Sequence, residues 1–310
     1  MSAPVRIALM MDGSPAPAPT MMSRLPRRLA LPVADLEALA ARAGTALPWH
    51  GDAAAVPCRL ARALGDDRPA GPAAAPDAGV LDTLGLLTPA GAPVAELAAA
   101  LAVFATPEVA VRLDLGVRRP EAPRGVARFT GWHHHRAGRV TALSTCGGPE
   151  VELAWFADDH WPRELEHLVT VPAHHGPAPD TELTLPFELL LGSAAAVREQ
   201  RPPVLAELLA RHPMSGPDRT PLRATAAAEQ VRLLHTVERG RLRVTVVGRG
   251  EGARTLGLVT WVLYADGWRA LVPATADGVA VVHVVSTDPG ALGATVARLV
   301  AGARPCATRP

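Results

Sequence analysis

At 310 residues the chain has room for one large domain or two small ones, since domains usually run to ~100–200 residues. Its 48% apolar and 20% charged residues suit a globular protein with a sizeable core and exclude wholesale disorder. The 31 basic residues nearly cancel the 30 acidic ones, so the net charge of +1 lacks the basic footprint of a nucleic-acid binder.

Residues 1–27 are of low complexity around Pro15-Ala16-Pro17-Ala18-Pro19 and read as a disordered or semi-extended tail. The apolar run 7–11 is shorter than the ~7–15 residues of a signal h-region, and Asp12 follows at once. A short strand over 28–31 leads into a helix with Val33, Leu36, Leu39 and Ala40 on one face, stopped by Gly44. Helical patterning continues over 54–64, 78–86 and 94–104, with a Pro/Ala/Gly-rich linker at 66–76. The period then switches from 3.6 to 2. Val109, Val111, Leu113 and Leu115 alternate as a strand with one buried face requires. Further strands follow at 127–135, 140–145 and 150–156, and Asp158 or Asp159 offers an N-cap for a helix over 160–169.

A Pro- and His-rich loop occupies 172–181, and helices run over 186–199, 204–211 and 220–238. A second period-2 block starts at Leu242 with Val244 and Val246, then continues at 256–264, 269–273 and 279–285. Thr287 or Asp288 caps a last helix, with Pro289 in its first turn and Ala291, Val296, Leu299 and Val300 on its apolar face. The two strand blocks overlay when Trp132, Gly138 and Ala142-Leu143 are set against Trp261, Gly267 and Ala270-Leu271. Each unit reads as helices, a four-stranded meander and a helix. The expected fold is therefore α+β and quasi-twofold, with one central antiparallel sheet formed by two β-meanders and helices on its faces and ends. The pseudo-repeats span 28–171 and 182–302, followed by a tail at 303–310.

Arg is the sole basic residue besides His, and Lys and Asn are absent, as in the products of GC-rich genomes. Cys58, Cys146 and Cys306 are odd in number and far apart, which points to a reducing cytosol and no disulfide framework. No stretch approaches the ~20 apolar residues of a membrane helix.

His133-His134-His135 is the sharpest cluster. On a strand His133 and His135 share a face, and with His160 or Asp158 they would make a zinc site. No third ligand stands at a diagnostic spacing, so the triplet reads as an exposed, polar strand end. Gly248-Arg249-Gly250-Glu251-Gly252 leads into a strand rather than a helix and reads as a hairpin turn. Cys146 has no Asn partner anywhere in the chain, and no G-x-S-x-G elbow exists. Two charge clusters remain, Arg118-Arg119 with Glu121 and Arg124, and Arg239, Arg241 and Arg243; each is a solvated loop or a partner-docking edge.

Leu29-Ala30-Leu31-Pro32 with Leu36, Leu39 and Ala43-Gly44 resembles the opening segment of the EspG chaperones of type VII (ESX) secretion. Leu84-Gly85-Leu86-Leu87 and Phe104-Ala105-Thr106-Pro107 are similar to the helices that follow, and Val259-Thr260-Trp261, Gly267-Trp268 and Asp288-Pro289 to the ending. The resemblance spans roughly 28–302. It implies helical bundles flanking the sheet and a cytosolic, non-enzymatic chaperone, a monomer or weak homodimer without a cofactor. Its clients would be secreted helical PE–PPE heterodimers or their relatives, docking against the sheet and a helical bundle. The implied contacts are Arg118, Arg119, Glu121 and Arg124, in the loop expected at 116–125. The competing readings are a metal hydrolase using His133, His135 and His160, and a regulatory module holding a small ligand between the sheet halves.

Overall fold

The computed structural model describes residues 26–48, 78–119, 122–145, 150–172, 174–249 and 253–302. The helical pattern at 54–64, its linker, the three cysteines and the tails beyond these limits lie outside the described residues. The first half runs β1 (Arg27–Pro32), α1 (Val33–Arg42), α2 (Ala78–Thr83), α3 (Ala95–Ala105), β2 (Val109–Arg119), β3 (Ala122–Arg136), β4 (Arg139–Thr145), β5 (Glu150–Ala157) and α4 (Trp161–Val169). The second runs β6 (Glu182–Pro186), α5 (Phe187–Arg198), α6 (Pro202–Arg211), α7 (Ala224–Thr236), β7 (Gly240–Arg249), β8 (Ala253–Tyr264), β9 (Gly267–Ala276), β10 (Val279–Thr287) and α8 (Ala291–Ala301).

Each half opens on a Leu-Pro step, Leu31-Pro32 and Leu185-Pro186. Proline cannot extend a strand ladder, and its fixed φ suits the first residues of a helix. Pro32 (φ −54°, ψ 143°) and Pro186 (φ −56°, ψ 143°) accordingly adopt the same conformation at the N-caps of α1 and α5. The ten strands form one antiparallel sheet in the order β1-β5-β4-β3-β2-β7-β8-β9-β10-β6.

Registers on the two sides correspond strand by strand. Leu29 faces Leu153, as Leu183 faces Val284. Ala142 lies between Ala154 and His133, as Ala270 lies between Val285 and Trp261. His133 faces Val111, as Trp261 faces Leu242. The two sides meet at the β2–β7 seam, where Leu113 faces Val244, and the quasi-twofold axis passes through that pair. The expected equivalence of the tryptophans thus holds for their strands, β3 and β8, and fails by one residue. Trp132 joins the core under α1–α3 and Trp261 the core on the opposite face. Because side chains alternate across a sheet, a slip of one residue exchanges the faces.

On one face α4 and α8 lie side by side over the sheet centre. Leu165, Val169, Leu292 and Val296 pack there on Leu113, Val244 and Trp261, and Trp268 Nε1 donates to the Val169 carbonyl at 2.9 Å. The other face carries two separate bundles. Helices α1–α3 cover Leu143, Val151 and Leu153, with Thr141 Oγ1 donating to the Ala100 carbonyl at 2.9 Å. Helices α5–α7 cover Leu183, Leu185, Val262 and Val284, and Tyr264 Oη donates to the Leu234 carbonyl at 3.1 Å.

Strand β6 lies inside the expected connection between the Pro/His loop and α5; its five residues are too few to show a period, and its partner β10 comes about a hundred positions later in the chain. The expected loop at 116–125 is mostly strand, because β2 and β3 form a long hairpin with an irregularity at Arg118/Arg119. Neither expected acidic cap forms a side-chain bond to its helix. Asp158 instead starts a single 3-10 turn before α4, and the turn before α8 closes through the backbone, Ala291 N–H to the Asp288 carbonyl at 2.9 Å.

Candidate functional site

Among the described residues, the gap between the two helical bundles leaves the centre of the sheet open on that face. Alternation on β2 turns Val109, Val111 and Leu113 toward α4 and α8, so Ala110, Arg112, Asp114, Gly116 and Arg118 face the gap. Pairing then sets three strands side by side. Arg112 lies between Trp132 and Thr245, Asp114 between Thr130 and Arg243, and Gly116 between Arg128 and Arg241. Two adjoining hollows, of about 500 and 520 Å³, share Arg112, Asp114, Trp132 and Arg243 in their walls. Trp132 is 8% exposed at the groove floor, continuous with the apolar core beneath α1–α3.

The groove concentrates charge that the chain as a whole lacks. Among the described residues Arg112, Arg118, Arg128, Arg239, Arg241, Arg243 and Arg249 line it, against the carboxylates of Asp114 and Glu238. Both carboxylates are already engaged. Arg112 Nε and Nη2 donate to Asp114 at 3.0 and 3.1 Å, and Arg241 Nε and Nη2 to Glu238 at 3.2 and 2.8 Å. Thr130 Oγ1 adds a 3.3 Å bond to Asp114. Among the described residues Arg118, Arg128, Arg243 and Arg249 make no ion pair, and Nη1 of Arg239 is buried without a hydrogen-bond partner. Guanidiniums offer planar forks to carboxylates or phosphates but do not exchange protons near neutral pH, so this is equipment for binding rather than bond-making.

Of the sequence-selected residues, Arg118 lines the groove, Arg119 and Arg124 stand on β2 and β3 at the far end of the same hairpin, and Glu121 lies outside the described residues. The two charge clusters, separate in sequence, meet here: the Arg118 N–H donates to the Arg239 carbonyl at 2.7 Å, and Gly116 pairs with Arg241. Arg112 and Arg128 belong to no motif in the sequence, although the alternation that marks β2 as a strand also places Arg112 on the face opposite Val111 and Leu113; Arg249, expected in a hairpin turn, ends β7.

The histidine triplet is not an exposed strand end. His133, His134 and His135 are buried, at 1%, 6% and 6% exposure. His133 Nδ1 accepts the Trp161 indole N–H at 3.1 Å, and the His135 ring lies parallel to Trp161 at a centroid distance of 5.6 Å. His134 points to the other face and packs on Phe104 at 4.9 Å. Burial, with His134 and Arg28 nearby, lowers the His133 pKa to about 3. Burial and Arg249 lower that of His134 to about 4, against the opposing effect of a hydrogen bond with the Phe104 backbone. Of the residues expected for zinc, His135 Nε2 does meet Asp158 at 3.3 Å, but His133 Nδ1 is taken by Trp161 and His160 Nε2 turns toward Asp159 at 3.7 Å, so the set stays incomplete. No group of three or more His, Cys, Asp or Glu placed to hold a metal occurs among the described residues. Nor is any described helix long and apolar enough to cross a membrane.

No protein-family model and no curated protein sequence matches the chain. Among solved structures it is similar to the Mycobacterium tuberculosis type VII secretion system chaperone EspG5, determined in complex with a PE25–PPE41 dimer. The TM-score is 0.58 at 14% sequence identity, over 90% of this chain and 98% of that one. At this identity the likeness shows a shared fold: α+β, with a central antiparallel sheet and flanking helices.

Proposed function

We propose that this chain is a cytosolic, non-enzymatic chaperone or adaptor. It binds secreted helical heterodimers of the PE–PPE kind, or related helical hairpins, and hands them to a type VII secretion apparatus. The observation that carries this reading is the open groove at the sheet centre, flanked by two helical bundles and lined by seven arginines, of which Arg118, Arg128, Arg243 and Arg249 make no ion pair among the described residues. A groove of this kind admits the tip of a helical hairpin, with sheet and Trp132 for burial and arginine at the rim for orientation. The fold shared with a chaperone whose structure holds a PE–PPE dimer supports the same reading. Whole-fold pseudo-repeats over 28–171 and 182–302 fit it too, because a quasi-twofold sheet brings its most open surface to the seam.

Arg118, Arg119 and Arg124, on the hairpin at one end of the groove, belong to the proposed contact surface, together with Glu121 next to them in sequence. An Arg118→Glu/Arg124→Glu double variant, co-expressed with a candidate PE–PPE pair, should recover several-fold less client. Its thermal melt should stay close to that of the wild type, since Arg118 is exposed and a surface charge contributes only about 0–1 kcal/mol. Client recovery at the wild-type level would move the site elsewhere, with α7 the next surface to vary.

A further inference from the structure

We infer that the groove selects a client whose docking tip carries carboxylates, an inference that rests on the chaperone reading. A docking surface built on shape and burial alone would need no net charge. Among the described residues seven arginines face two carboxylates here, and both carboxylates are held by Arg112 and Arg241. The excess sits in one concavity, while the whole chain carries only +1. Elsewhere among the described residues arginines are commonly matched: Arg28 with Glu152 and Glu164, Arg211 with Glu207, Arg232 with Glu229. Arg243 pairs with Asp114 from β7 and Arg128 pairs with Gly116 from β3, so the two flank β2 from opposite sides; both are exposed, and their guanidiniums are free to close on an entering carboxylate from two directions. In a concave, partly desolvated site, like charges repel one another until an anion arrives. Binding should therefore gain in rate and specificity from a complementary charge.

The same guanidiniums would suit phosphates, but two features favour an acidic protein segment. The chain as a whole carries only +1, without the overall basic excess of a nucleic-acid binder, and apolar surface from Trp132, Ala110 and Val247 lies among the arginines.

The test uses the full chain and two designed helical hairpins of equal length and apolar content, differing only in four glutamates or four glutamines at the inter-helix loop. Fluorescence anisotropy at 50 mM salt should give at least ten-fold tighter binding of the glutamate hairpin, shrinking to less than three-fold at 500 mM as screening grows. Arg128→Glu/Arg243→Glu should abolish that preference, and Arg298→Glu on α8, away from the groove, should leave it intact. Equal affinity for the two hairpins, or an undiminished preference in the groove variant, overturns the inference. So does tighter binding of a 20-residue oligothymidylate than of the glutamate hairpin at 150 mM salt. Failure of both hairpins to bind also overturns it. The chaperone reading is decided separately, by the co-purification experiment, and survives any of these results if that client is retained.

Discussion

Acidification from pH 7 to pH 5 should cost the fold about 2 kcal/mol for each of His133 and His134, and about 4 kcal/mol if the two titrate independently. Both rings are buried and held neutral, with folded-state pKa values lowered to about 3 and about 4 from an unfolded value of 6.5. As pH falls below 6.5 the unfolded chain takes up the protons first, so the equilibrium shifts toward unfolding. The stabilisation is full above about pH 6.5 and is lost progressively until pH nears the folded values. Protonation is disfavoured in the fold for identifiable reasons. The acceptor Nδ1 of His133 is already occupied by the Trp161 indole, and a charged His134 would sit between Phe104 and Arg249. Urea unfolding followed by tryptophan fluorescence at several pH values measures this slope. His134→Phe should remove roughly half of it, since Phe fills the space beside Phe104 without titrating. A midpoint independent of pH between 7 and 5 would refute the burial argument.

Gly293→Val should destabilise the protein by about 3 kcal/mol, the upper end of the range for overpacking a tight contact. A Cβ built at Gly293 would lie 2.6 Å from both Cα and Cβ of Pro162, and a backbone atom cannot rotate aside. Helices α4 and α8 would have to separate, loosening Leu165, Val169, Leu292 and Val296 from the sheet centre together. Gly192 in α5 is the natural comparison, because a Cβ there meets only the flexible Leu208 side chain, at 3.4 Å. Gly192→Ala should change stability by less than about 1 kcal/mol and could raise it, since alanine is the better helix former. Chemical denaturation of both variants checks the pair, and similar losses at the two positions would contradict the close-approach account.

The sequence by itself determined the parts whose signals are local. Alternation at Val109, Val111, Leu113 and Leu115 marks β2, the same period returns at Leu242, Val244 and Val246, and the 3.6-residue pattern of Leu36, Leu39 and Ala40 marks α1. Leu31-Pro32 fixes the point where strand becomes helix. Two such series in one chain are enough to propose an α+β, quasi-twofold sheet, because each amphipathic element must bury its apolar side against another. Tertiary structure alone decided what depends on partners far along the chain. A run of three histidines looks solvated until Trp161 and Phe104 close over its two faces. Trp132 and Trp261 look equivalent until the registers assign them to opposite sides of the sheet. The arginines around 118 and those around 241 are two ordinary loops in sequence, and only the pairing of β2 with β7 makes them one groove. Local patterns report the period and polarity of an element. Register and pairing are set by packing between distant segments, and in this protein that is where the candidate site arises.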